Sequence, residues 1–222
     1  MKRIHIPNMG PDQSNIPKAI AVGLREAIAW NSKNLTLITP TKDNLDSIVV
    51  GEFLGRDVSR RLMKNESVSV GDHGVSLTHE SVSTVQKGRT PQVGLAFYVS
   101  KDHIKKLDDL HFDCLIFVPW LDTEGVEWAQ KWDAETHGAE TAGADINLLP
   151  QVSEALKNLT MCVNLSTGLG HPSDKEHAKR KFSELRAAGV TWQLDEVEKW
   201  AVRNGWRAVD AHELAALSGR YT

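Results

Sequence analysis

The sequence predicts an α/β protein in which an open, mostly parallel sheet with one inserted β-hairpin occupies residues 1–135 and a helical region occupies residues 151–222. Three observations predict it. A strand, loop, helix and strand follow one another in "RIHIP", "NMGPDQSN", "IPKAIAVGLREAIAW" and "LTLIT". Two nearly continuous apolar runs, "VGLAFYVS" and "FDCLIFVPW", flank a short amphipathic helix, the pattern of neighbouring parallel strands buried on both faces. Beyond Trp120 the apolar residues recur only at helical spacing, and no further strand is expected.

Each element has its own signal. In the first helix Ile16, Ile20, Leu24, Ala27 and Ile28 fall on one face, with Ser14 or Asn15 at the cap and Pro17 in the first turn. "NLDSIVVGEFLGRDVSRRLMKN" reads as a helix broken near Gly55. "SVSVGDHGVSLTH" alternates on either side of a Gly-Asp-His-Gly turn and predicts the hairpin. "KDHIKKLDDL" is the helix between the two apolar strands, and "TEGVEWAQKWDAET" is the helix after the last of them. The arrangement is Rossmann-like, and because unrelated functions share that outline, function has to be argued from particular residues.

"HGAETAGADINLLP" is the expected connection between the two parts. After it "QVSEALKNLTMCVNL" is helical, and three shorter helices follow, separated at "AGVTW" and "NGWR". Phe182, Leu185, Val197, Trp200, Ala201, Leu214 and Leu217 are their expected core, with Trp192, Trp200 and Trp206 as packing anchors or as a face for a protein partner or a second copy.

Composition narrows the function classes. Hydrophobic residues make up 41% and charged residues 25% of 222 residues, a globular balance. A net charge of -3 creates no general attraction for polyanions, and residues 101–150 carry eleven Asp/Glu against four Lys/Arg. Short helices with Lys179, Arg180, Lys181, Arg186, Arg203 and Arg207 have the outline of a DNA-reading helix pair. Nine Lys/Arg against eight Asp/Glu over 171–222 weigh against it. No run approaches the roughly 18 apolar residues of a membrane span, and "MKRIHIPNMG" lacks a signal-peptide core. Cys114 and Cys162 both lie in apolar runs and are expected to be buried thiols, which together with the missing leader points to a cytoplasmic protein.

Ligands of open parallel sheets bind outside the carboxyl ends of the strands. The four loops there supply Asn8 and Gly10, Thr41 and Lys42, Ser100, and Trp120, Asp122 and Glu124. Hydroxyls and a lysine suit an anion, an indole suits a base, and two carboxylates suit acid–base work or a cation. The leading expectation is therefore a binding module for a nucleotide or another phosphorylated small molecule. The alternative is a hydrolase of a nucleotide or phosphoester, with Asp122 or Glu124 as base or cation ligand and Thr41 and Lys42 gripping the anion. DNA binding through the last helices comes third, and no particular cofactor is implied. Taken singly, these residues also make good helix caps and core edges, and GxGxxG, HExxH and GxSxG are all absent.

"STGLGHPSDKEHAKRK" raises a separate question, because His171, Asp174 and His177 could ligate a metal. Local structure accounts for more of it. Ser173 and Glu176 have capping-box spacing, Gly168 or Gly170 suits a left-handed helix end, and Pro172 cannot continue a preceding helix. The expectation is a seam between helices and no metal site.

Overall fold

Strand β1 (Lys2–His5) opens the chain and α1 (Asn15–Ala29) returns it to β2 (Asn34–Thr39). A broken helical stretch follows as α2 (Asn44–Ser47), α3 (Val49–Leu54) and α4 (Arg56–Met63), then the hairpin of β3 (Val68–Val70) and β4 (Val75–Ser81). Next come β5 (Val93–Phe97), α5 (Lys101–Asp108), β6 (Cys114–Val118), α6 (Asp122–Trp132) and β7 (Glu135–Thr136). The helices α7 (Pro150–Cys162), α8 (Pro172–Ala187), α9 (Leu194–Arg203) and α10 (Ala208–Ser218) complete it, with a 3₁₀ turn at Gly168–Gly170. This computed structural model describes every residue except 48, 87, 89, 90, 111 and 139–145, and the side chains of 46 and 47 are also left aside.

The seven strands form one sheet in the order β3-β4-β2-β5-β6-β1-β7, parallel throughout except for the β3–β4 hairpin. The mixed α/β architecture with a helical C-terminal region follows the sequence pattern. β7 is a correction. Its two residues pair with Ile4 and His5 of β1, too short a segment to leave an alternating pattern.

The sheet is covered on both faces. Cys114, Ile116 and Val118 of β6 join the core beneath α1 and α4, while the alternate residue Phe117 meets Trp128 of α6 edge-on at 5.4 Å. Trp128 Nε1 donates to Asp108 of α5 at 2.8 Å, and Arg3 Nε donates to the other oxygen of that carboxylate at 2.8 Å.

The buried stripe of α1 is rotated from the expected one: Ile16, Ala19, Gly23 and Ala27 face the sheet and Ile28 is exposed. Small residues let the helix come close, since a Cβ on Gly23 would stand 2.9 Å from Leu35. Gly55, at φ +82°, separates α3 from α4.

The chain divides into two compact units: Met1–Gln130 with Ala134–Ala142, and Lys131–Asp133 with Gly143–Thr222. The second has its own core, in which Phe182, Trp192, Val197, Trp200, Trp206 and Leu214 are buried together. The three tryptophans are thus internal anchors of this unit. Gly189 and Gly205, both at positive φ, turn the chain between α8, α9 and α10.

Candidate functional site

Strand order settles where the open end of the sheet lies. From β2 the chain continues outward to β4, and from its neighbour β5 it continues the other way to β6. The carboxyl ends of β2 and β5 therefore flank the switch point, where helices on opposite faces leave a crevice. β2, β5, β6 and β1 are successive parallel neighbours, so the four loops read from the sequence leave one edge side by side.

Four of the expected residues are joined in one knot. The backbone N–H of Asn8 donates to Asp122 Oδ1 at 3.2 Å, and Asn8 Nδ2 donates to the carbonyls of Gly10 and Pro119, each at 2.8 Å. Asn8 is buried and its Oδ1 accepts from Asn15 Nδ2 at 3.1 Å, so its whole side chain is engaged in tying loops together. Gly10 donates to the carbonyl of Trp120 at 2.8 Å and sits at φ +65°, a conformation that favours glycine. Behind the knot, buried His5 brings Nε2 to 3.4 Å from Asp122 Oδ1. Burial holds His5 below the ordinary histidine pKa, against the pull of Asp122. Asp122 keeps 37% of its side chain exposed and Trp120 is 43% exposed, so both face the loop edge.

The β2 loop forms a second group. Asn44 Oδ1 accepts from the N–H of Thr41 at 2.9 Å and from its hydroxyl at 2.8 Å, and Lys42 Nζ donates to Asn65. Ser100 caps α5, its hydroxyl accepting from the N–H of His103 at 3.4 Å. Glu124 has no side-chain partner among the described residues and lies in the first turn of α6. Lys42 and Asp122 follow strands separated by two strand spacings, about 10 Å.

Two residues of this edge carry no sequence motif. Tyr98, immediately after β5, has φ +55°, a left-handed conformation unusual for a tyrosine. It is only 9% exposed, and its hydroxyl has no hydrogen-bond partner among the described residues. Its ring meets that of Trp120 edge-on at 5.2 Å. Burial pushes its pKa up to about 12, with the nearby charge of Asp12 adding to the effect, so the phenol stays protonated as a donor. His79 on β4 is likewise buried, with Nε2 2.8 Å from Thr39 Oγ1 and with no partner for Nδ1 among the described residues. An apolar strand run gives no hint that its last residue turns left-handed, whereas the alternation of β4 places His79 on the same buried face as Val75 and Leu77.

Asp12 changes the electrostatics of the first loop. The N-terminus of α1 is where an open α/β sheet commonly receives a phosphate. Here Asp12 accepts from the N–H of Ser14 at 2.8 Å, from its hydroxyl at 3.0 Å and from Asn15 Nδ2 at 3.1 Å. The backbone hydrogen bond from Ser14 holds the Asp12 carboxyl below its ordinary pKa. A fixed carboxylate already complements that helix end.

In the second unit, the junction before α8 differs in detail from the expected capping box. Gly168 is left-handed at φ +54°, but Pro172 begins α8 and His171 is its cap. Nδ1 of His171 accepts from the N–H of Ser173 at 3.3 Å and lies 2.7 Å from the Ser173 hydroxyl. Glu176 pairs instead with Lys179 at 2.6 Å, because helix entry two residues earlier carries it past the position from which it could reach back. Among the described residues no three His, Cys, Asp or Glu gather as metal ligands. Cys114 is buried, and its thiol is pushed up to about 12 by that burial, whereas Cys162 is exposed on the flank of the α7 stripe, contrary to expectation. Several basic side chains of this unit are paired, including Lys175 with Glu213, Lys181 with Glu184 and Arg207 with Asp210. No helix among the described residues is long and apolar enough to cross a membrane.

No curated protein and no solved structure matches the chain. Residues 149–221, about a third of its length and nearly all of the helical unit, are similar to the family described as Domain of unknown function (DUF1889).

Proposed function

We propose that the α/β unit binds a small phosphorylated ligand of nucleotide type at the carboxyl edge of β2, β5, β6 and β1. Tyr98 is the observation that supports this reading. A tyrosine held in a left-handed backbone conformation, with a buried hydroxyl that has no partner, carries two unfavourable terms at one residue, and such residues concentrate at ligand sites. It stands beside the switch point, with the exposed indole of Trp120 against its ring. In this reading Tyr98 Oη donates to the ligand, Trp120 offers a face to its planar part, and Asp122, oriented by Asn8, accepts from a hydroxyl. Lys42 and Thr41 take the anionic end. With Asp12 at the start of α1, the anion belongs on the β2 side of the edge.

A thermal-shift screen of nucleotides and dinucleotides tests the proposal. A ligand at one hundred times its dissociation constant stabilises the fold by about 2.7 kcal/mol. Trp120→Ala and Tyr98→Phe should each weaken the ligand so found at least tenfold, while Tyr98→Phe leaves the ligand-free protein no less stable, since it removes an unpaired polar group. Unchanged melting across the whole panel refutes the reading.

A further inference from the structure

The helices α3 and α4 border a cleft of about 730 Å³, within the size range of small-molecule sites, lined by Gly51, Glu52, Gly55, Arg56, Arg60 and Met63. None of the sequence-derived candidates lines it. Arg56 and Arg60 are four apart and therefore share one face of α4. Both are exposed, and Arg56 has no hydrogen-bonding or ionic partner among the described residues. Among the described residues Arg60 has only an exposed contact to Asp57 at 3.6 Å, a pair too solvated to hold it in place. Gly51 and Gly55 also stand four apart and give the cleft a wall without side chains, and a Cβ on Gly55 would meet nothing within 4 Å. Glu52, the one acid in the lining among the described residues, accepts from Gln13 Nε2 at 3.2 Å. Two guanidinium groups thus line one cavity, with no carboxylate committed to Arg56 among the described residues.

We infer that this cleft is an anion site that receives a phosphate or carboxylate group of a small molecule, forked by Arg56 and Arg60. Guanidinium suits that role because its planar donors pair two at a time with the oxygens of either group. The inference is independent of the Tyr98 site, since it requires charge and no ring.

Calorimetric titration with inorganic pyrophosphate and, separately, citrate at low ionic strength tests it. Saturable binding of either anion is expected, weakening as salt is added. Arg56→Gln with Arg60→Gln should reduce affinity at least tenfold with an unchanged far-ultraviolet spectrum, the exposed positions leaving the fold intact. Arg61→Gln, on the same helix but paired with Glu66 and outside the cleft, should leave binding as it was. Pyrophosphate binding alone assigns a phosphate site, and binding of both assigns a general anion site. No saturation by either anion, undiminished binding in the double variant, or loss of binding in Lys42→Ala instead would overturn the inference.

Discussion

At the scale of single residues, the carboxyl edge is marked by polar groups that burial has left without full hydrogen bonding. His79 is one of them: burial foremost, and then the charge of Lys42, lowers its pKa from 6.5 to about 4. The folded protein keeps His79 neutral down to that pH, whereas the unfolded chain protonates it near 6.5. Between those values the unfolded state binds the extra proton, so stability falls as pH falls through the window. His5, pushed down by its own burial, acts in the same direction. Asp108 acts oppositely: burial raises it to about 6 against the attraction of Arg3, so its protonation below that pH favours the folded state. His79→Gln separates these contributions. The melting temperature of the natural protein should drop more steeply from pH 6.5 to 4 than that of the variant, and parallel profiles would assign the drop to other groups. The loops that present the candidate site were legible in the sequence, because they follow from where apolar runs stop. Tyr98 and Asp12 were not, because a backbone dihedral, an unpaired hydroxyl and an occupied helix end are tertiary properties of residues that look ordinary in the chain, whereas the inward register of His79 follows from the alternation of β4.

At the scale of elements, close approach decides more than apolar pattern. Gly125 in α6 lies over β1, where an added Cβ would stand 2.2 Å from His5 Nε2 and 2.7 Å from Pro119. Gly125→Ala should therefore cost about 3 kcal/mol through overpacking, although alanine favours helices more than glycine does. A variant as stable as the natural protein in urea would show that α6 can shift outward at little cost. The start of α8 provides a test of rank. His171→Ala removes the side chain that caps the helix and should cost about 1 kcal/mol, while Ser173→Ala keeps the backbone bond to His171 and should cost less. The reverse order would restore the capping box that the sequence suggested. Periodicity found the hairpin, the break at Gly55 and the three last helices, since each repeats its signal over several residues or ends in a glycine turn. It missed β7, two residues long, and the rotation of α1, because Ala19 and Gly23 pack the sheet with too little hydrophobicity to stand out from Ile20 and Ile28.

At the scale of the molecule, each unit has a hydrophobic core of its own. The core of the helical unit draws on residues from 132 to 221, and the cluster beneath α1 and α4 in the sheet unit on residues from 4 to 118. A fragment beginning at Ile146 retains α7 to α10 with Trp192, Trp200 and Trp206, and loses Trp132 from the helical core, the pair between Lys131 and Glu198, and the hydrogen bond from Arg203 Nε to the carbonyl of Lys131. Its core buries those indoles and the residues around them, Phe182 and Leu214 among them. Residues 146–222 made alone should therefore unfold cooperatively and show near-ultraviolet signals from fixed tryptophans, at a melting temperature below that of the same helices in the whole chain. Restoring Lys131 and Trp132, by starting the fragment at Asp122, should recover part of that difference. Helical far-ultraviolet spectra without near-ultraviolet structure, in both fragments, would mean that the helical unit needs the sheet unit to fix its packing, and that a self-sufficient core read from burial is wrong.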